Sequence, residues 1–216
     1  MNKKTLIVFA CCNRKRPDGE KSLTWSKKQS IINRLSSETG QKLLESRHKL
    51  ARRFNKAEGK DLGGDKDAPV LLMRAFERYD GNLYRKIDKS YWHKLLQIDY
   101  VNVLIVSALY GLLTPWEPIR DYNIMITDAF RSRFSLARWW KNQGLGFYLK
   151  EYIIRNGITE VHDFLSGSYS TIADPIFTLV PKKKIKTYLG RYSGMGSGAD
   201  HHRGKDINKL LEQTLN

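Results

Sequence analysis

Three groups of polar residues in this chain each follow an apolar run. Cys11, Cys12, Asn13, Arg14, Lys15 and Arg16 follow residues 5–10 (TLIVFA), Ser107 and Tyr110 follow residues 101–106 (VNVLIV), and Ser168 and Tyr169 follow residues 159–165 (TEVHDFL). Asp121 and Tyr122 stand beyond the second group, at the end of a stretch whose backbone Pro115 and Pro118 stiffen. A carboxylate so placed can move a proton or stabilise a developing positive charge. An amide such as Asn13 can orient a water or read the edge of a planar heterocycle, and tyrosines can wall it. Asp121 is therefore the first candidate for acid–base or charge-stabilising work and Asn13 its partner. Asp80 is a reserve carboxylate, and His201 or His202 suits stabilisation of a departing group. Plainer roles stay open, since Asp121 also suits a cap for a helix near Asp128, and the serines before Tyr169 suit a helix N-cap.

Delivering these groups to one place requires an α/β arrangement. Residues 101–106 are apolar apart from Asn102 and rich in β-branched side chains, as in a strand buried on both faces. Residues 5–10 repeat that pattern, and residues 159–165 and 184–189 supply a third and a fourth strand. In open α/β sheets ligands bind beyond the carboxyl ends of the strands, where all three polar groups would meet. Apolar spacing predicts helices over residues 22–54, broken at Ser36, Ser37 and Gly40. Residues 68–76 read as a short helix with Pro69 in its first turn. Further helices are expected at residues 91–98 (YWHKLLQI), 128–142 and 145–155, the last stopped by Asn156 and Gly157. A glycine-rich segment, residues 190–204, precedes a terminal helix carrying Ile207, Leu210 and Leu211. The expectation is a single α/β domain over residues 1–216. Its central sheet is mostly parallel or mixed and is flanked by helices, with a basic helical insertion at about residues 22–67.

Charge narrows the partner. The chain has 38 Lys and Arg against 22 Asp and Glu, a formal charge of +16. A surplus of this size attracts polyanions and releases counterions on phosphate contact. DNA is the expected partner, met by Arg14, Lys15, Arg16, Arg52, Arg53, His202, Arg203 and Lys205. Cys11 and Cys12 are adjacent and are the only cysteines, so no disulfide framework forms and a reducing cytoplasm fits. Two cysteines and a pair of neighbouring histidines do not make a zinc site, and neither a phosphate-binding loop nor a complete GxGxxG pattern is present. No metal and no cofactor are expected. No apolar run approaches the roughly 20 residues that span a bilayer, and a soluble monomer is the simplest expectation.

The phrase AFERYDGNLYRKID, followed after a short helix by VLIVSALYGLLTPWEPIRDY, resembles the paired signature of the YaaA family of bacterial peroxide-stress proteins. The likeness covers roughly residues 68–125, and SALYGLL with the trailing Asp121 and Tyr122 is its most specific part. It implies DNA binding and protection from oxidative damage. Related domains occur beside enzymes of modified nucleobases, some with an architecture like uracil-DNA glycosylases. Joined to the residues above, this leads to a DNA glycosylase that hydrolyses the N-glycosidic bond of a damaged or modified base, including bases of the phage type. Such enzymes extrude the base into a pocket, here walled by Cys12, Ser107, Tyr110, Tyr122, Ser168 and Tyr169. The alternative is a YaaA-type DNA-binding protein that uses the same cleft without breaking a bond.

Overall fold

The computed structural model describes residues 3–21, 23–26, 29–62, 70–131, 134–179 and 185–215. In chain order the strands are β1 (Thr5–Ala10), β2 (Leu72–Arg74), β3 (Val101–Ser107), β4 (Gly111–Leu113), β5 (Pro118–Arg120), β6 (Ala129–Arg131), β7 (Phe134–Ser135), β8 (Glu160–Asp163) and β9 (Ile185–Thr187). The helices are α1 (Ser37–Arg53), α2 (Ala75–Arg78), α3 (Lys89–Leu95), α4 (Leu136–Asn142), α5 (Leu145–Arg155), α6 (Gly167–Leu179) and α7 (Ala199–Leu215).

The central sheet has five strands in the order β4-β3-β1-β8-β9. β1 pairs in parallel with β3 and β8, β8 in parallel with β9, and only the edge strand β4 runs antiparallel. The fold is thus a mixed α/β domain around a mostly parallel sheet. Every residue of β3 is buried, and Leu6, Ile7, Val8 and Phe9 of β1 are almost inaccessible, as expected of strands covered on both faces. Alternation sends Phe9 to one face, against the edge of the Tyr84 ring. Val106 and Leu112 meet Leu145, Leu149 and Ile172 of α5 and α6 on the other. The turn from β3 into β4 needs a left-handed residue, and Gly111 supplies it at φ 70°. A side chain there would also strike the Trp140 ring at 2.7 Å.

Away from this sheet the expectations need correction. Leu72–Arg74 is a strand, not the middle of a helix, because it pairs antiparallel with Pro118–Arg120; helix is confined to Ala75–Arg78. Pro69 lies outside the described residues. The helix expected from Asp128 begins only at Leu136, after the hairpin of β6 and β7; Arg133 lies outside the described residues. Among the described residues before Ser36 the helical pattern yields no α-helix, and Ile31–Arg34 is a short 3-10 turn. Ser36 does cap α1, accepting from the Thr39 amide. The glycine-rich segment is structured as two 3-10 turns, and α7 starts at Ala199, so both histidines lie on a helix.

α1 is less of a solvent-facing basic helix than its composition suggests. Arg47 is 2% exposed. It donates to the carbonyls of Tyr110 and Leu112 and pairs with the buried Glu117 at 3.2 Å. Glu117 also accepts from the amides of Ile31 and Thr114. These bonds tie α1 to the segment that follows β3. Among the described residues no helix is long and apolar enough to cross a membrane.

Candidate functional site

The parallel register brings the carboxyl ends of β1, β3 and β8 to one edge, and the ladder runs on as the Cys11 amide donates to the Val106 carbonyl at 2.9 Å. At that edge three buried hydroxyls form a closed cluster. Tyr79 and Tyr122 stand 2.8 Å apart, Tyr122 and Ser107 2.9 Å, and Tyr79 donates to Ser107 at 3.3 Å. Burial raises both tyrosines well above their ordinary pKa, so they stay protonated. Beside them Cys11 Sγ lies 3.1 Å from the Tyr169 hydroxyl.

The loop after β1 is held against residues 78–81. Lys15 and Tyr79 form an antiparallel bridge. The Arg16 amide donates to the Arg78 carbonyl and the Asp80 amide to the Arg14 carbonyl. Arg78, itself buried, donates to the carbonyls of Arg16, Asp18 and Leu71. Cys12 Sγ accepts from the Gly81 amide at 3.2 Å and donates to the Arg14 carbonyl at 2.9 Å. Burial, with the neighbouring Cys11, pushes the Cys12 thiol up to about 12, so it is a packed thiol and not a nucleophile. Lys15 is turned inward. Its Nζ sits 3.9 Å above the centre of the Tyr122 ring and donates to the Asn13 carbonyl at 3.1 Å.

Next to this edge opens a cleft of about 290 Å³. Arg16, Arg85, Lys89 and His93 line it together with the stacked pair Phe76 and Trp92, and Tyr79, Tyr84, Glu77 and Asp80 complete it. Asp80 accepts from Arg85 Nε and Nη2 at 3.0 and 2.5 Å and pairs with Arg14 Nε at 3.2 Å. Those Arg85 bonds hold its carboxyl below the usual range, so Asp80 braces the cations and does not act as a free acid. Asp121 is exposed, and its charge acts on Lys15 and Arg78.

The family model for the peroxide stress protein YaaA matches residues 7–216. The chain belongs to that family. A relative from Rickettsia felis, described as a UPF0246 protein, is 22% identical over 167 residues, which is 75% of this chain and 64% of that protein. The chain thus spans less than two thirds of the length of this curated relative.

In this YaaA-family chain the residues singled out from sequence divide into two sets. Cys12, Asn13, Arg14, Lys15, Arg16, Asp80, Ser107, Tyr122 and Tyr169 gather at or beside the strand ends through the contacts above, and the charge of Asp121 acts on Lys15 among them. Tyr110 faces inward instead. It is fully buried, donates to Asp61 at 2.6 Å and accepts from the Arg120 amide at 3.1 Å, so Tyr79 and not Tyr110 lines the cleft. Ser168 is exposed in the first turn of α6. Arg52 and Arg53 end α1, where Arg53 donates to the Phe130 carbonyl at 2.8 Å. Arg203 is 7% exposed and bonds Asp200, which makes it a poor phosphate ligand, whereas His202 and Lys205 are exposed on α7. His201 also lies on α7. Partial burial and the neighbouring Lys86 and Lys205 lower its pKa, so at neutral pH it is an uncharged imidazole. Among the described residues no three potential metal ligands converge. Sequence reasoning assigned no site role to Cys11, Tyr79, Tyr84 and Phe76. Their local signal is only that Tyr79 and Tyr84 flank Asp80 and Gly81, and only the folded chain separates a site tyrosine from a core one.

Proposed function

We propose that this YaaA-family chain is a DNA-binding protein of the peroxide-stress response that grips DNA across the strand-end cleft. The observation that carries this is the set of cations Arg16, Arg85 and Lys89 lining the cleft together with the stacked pair Phe76 and Trp92, with Arg14 and Arg85 braced by Asp80 and Arg16 by Asp18. Cations held in this way meet phosphates, and Phe76, half-buried with Trp92 packed behind it, is the aromatic ring open to a base. The test is fluorescence anisotropy with a labelled duplex and a labelled single strand across a salt series. Affinity should fall steeply and linearly in log–log form with salt. Affinity that ignores salt refutes the proposal.

Base hydrolysis is the second reading, favoured by one observation: the exposed Asp121 carboxylate acts electrostatically on Lys15 at the strand ends. The glycosylase-like architecture suggested by the sequence resemblance belongs to this reading as well. Incubation with DNAs bearing damaged or hypermodified bases, followed by alkali, separates the two. Breaks that disappear in Asp121→Asn support hydrolysis, and bound but unbroken DNA supports binding alone.

A further inference from the structure

Lys15 differs from the arginines on either side of it. Arg14 and Arg16 are exposed and engaged by Asp80 and Asp18. Lys15 is half-buried on a loop whose backbone is fixed on both sides, with Nζ over Tyr122 and 5.9 Å from the Tyr79 ring centre. A rigidly held amine at the carboxyl edge of a parallel sheet, beside a cluster of protonated hydroxyls and a nearby carboxylate, is equipped for carbonyl chemistry. Burial moves the ammonium the same way. It lowers the Lys15 pKa, helped by Arg78 and opposed by Cys11, Cys12 and Asp121. A phosphate anchor has no need of such an enclosure, because an exposed lysine serves that role as well.

We propose that Lys15 is an imine-forming nucleophile that captures the aldehyde of abasic sites in DNA. This rests on the DNA-binding reading above and adds a reaction to it. A nucleotide that has lost its base opens to a free aldehyde at C1′. Lys15 Nζ adds to C1′, and the carbinolamine takes up a proton from solvent and loses water. The protonated imine withdraws electrons from C2′. Asp121 takes the C2′ proton, and the 3′-phosphate departs with the electron pair of its C–O bond. Water then hydrolyses the imine, releasing an unsaturated aldehyde and restoring the amine. No oxidant, reductant or metal enters the balance. Peroxide damage to DNA produces such sugars, so the substrate belongs to the stress named for the family.

The experiment incubates the full chain with an end-labelled duplex carrying one abasic site in the presence of sodium borohydride, which reduces the imine to a stable amine. A covalent protein–DNA adduct on a denaturing gel is expected, and none with a tetrahydrofuran analogue that lacks the aldehyde. Lys15→Arg keeps the charge but not the nucleophile, and should lower the adduct by about tenfold or more. Lys209→Ala, an exposed change on α7, should leave it intact. Asp121→Asn should keep the adduct and lose strand cleavage without borohydride. An adduct at the wild-type level in Lys15→Arg, or no wild-type adduct despite measured DNA binding, overturns the proposal alone. Failure of the wild-type chain to bind any DNA by anisotropy overturns the DNA reading instead. Circular dichroism on each variant separates loss of chemistry from loss of fold.

Discussion

Replacing Asp61 by Asn removes one charge from a pair that holds the arm carrying Asp121 and Tyr122. Asp61 is 4% exposed and Arg120 2%. The carboxylate accepts from Arg120 Nε and Nη2, each at 2.7 Å, and from the Tyr110 hydroxyl at 2.6 Å. Arg120 Nη1 is satisfied by the Ala57 carbonyl at 2.6 Å. In Asp61→Asn the guanidinium stays buried without a counter-charge, and one of its donors faces an amide group that cannot accept. Breaking one side of a buried pair costs about 3–5 kcal/mol. For a domain of this size that corresponds to a fall in Tm of about 6–20 °C. Urea unfolding followed by tryptophan fluorescence measures the free energy directly. The double variant Asp61→Leu with Arg120→Met removes both charges and should recover most of the loss, since an apolar replacement of a buried pair is often neutral. If Asp61→Asn unfolds within about 0.5 kcal/mol of the wild type, the pair does not carry the arm and the reasoning fails.

Asp163 titrates in the opposite sense from a salt-bridged carboxylate. It is 3% exposed, accepts only from the Leu165 amide at 2.9 Å, and burial raises its pKa to about 6 from 3.8. A raised carboxyl pKa means that the folded state prefers the proton. The penalty is full above the folded value and fades as pH falls through it towards 3.8, so stability rises as pH drops across that window. Asp163→Asn should therefore be more stable than wild type at pH 7 to 8 by about 1–3 kcal/mol, with the gap closing by about pH 4 in parallel urea titrations. Arg14→Ala and Arg16→Ala should each lower the salt slope of DNA binding by about one while weakening all sequences alike. An unchanged slope in both would remove them from the interface. Gly81→Ala places a methyl 2.7 Å from Cys12 Cβ and 2.9 Å from its sulfur. The loop after β1 must then move, at about 1–3 kcal/mol, and the variant should lose DNA affinity and Tm together. A full-affinity Gly81→Ala would show that the placement of the loop does not matter.

What the residues determined by themselves was what depends on local pattern and on composition. Continuous β-branched runs can only be satisfied by burial on both faces, and β1 and β3 appear where those runs lie. Capping and stop residues act over a few positions, so α1 begins after Ser36 and α5 ends before Asn156 and Gly157. Strand ends carrying Asn13, Ser107 and Tyr169 were legible because a parallel sheet sends such ends to one side. Tertiary structure decided the rest, because the deciding partners are remote in the chain. Leu72–Arg74 is a strand because Pro118–Arg120 pairs with it, and nothing within a turn of Leu72 announces that. Arg47 is a core residue because Glu117 and two carbonyls meet it there, although its neighbours on α1 are solvent-facing cations. Tyr110 and Tyr79 have the same side chain. Both are buried, but one hydroxyl is drawn to Asp61 and the other to Ser107 and Tyr122 at the strand ends, because a hydroxyl follows the long-range partner that satisfies it once water is excluded.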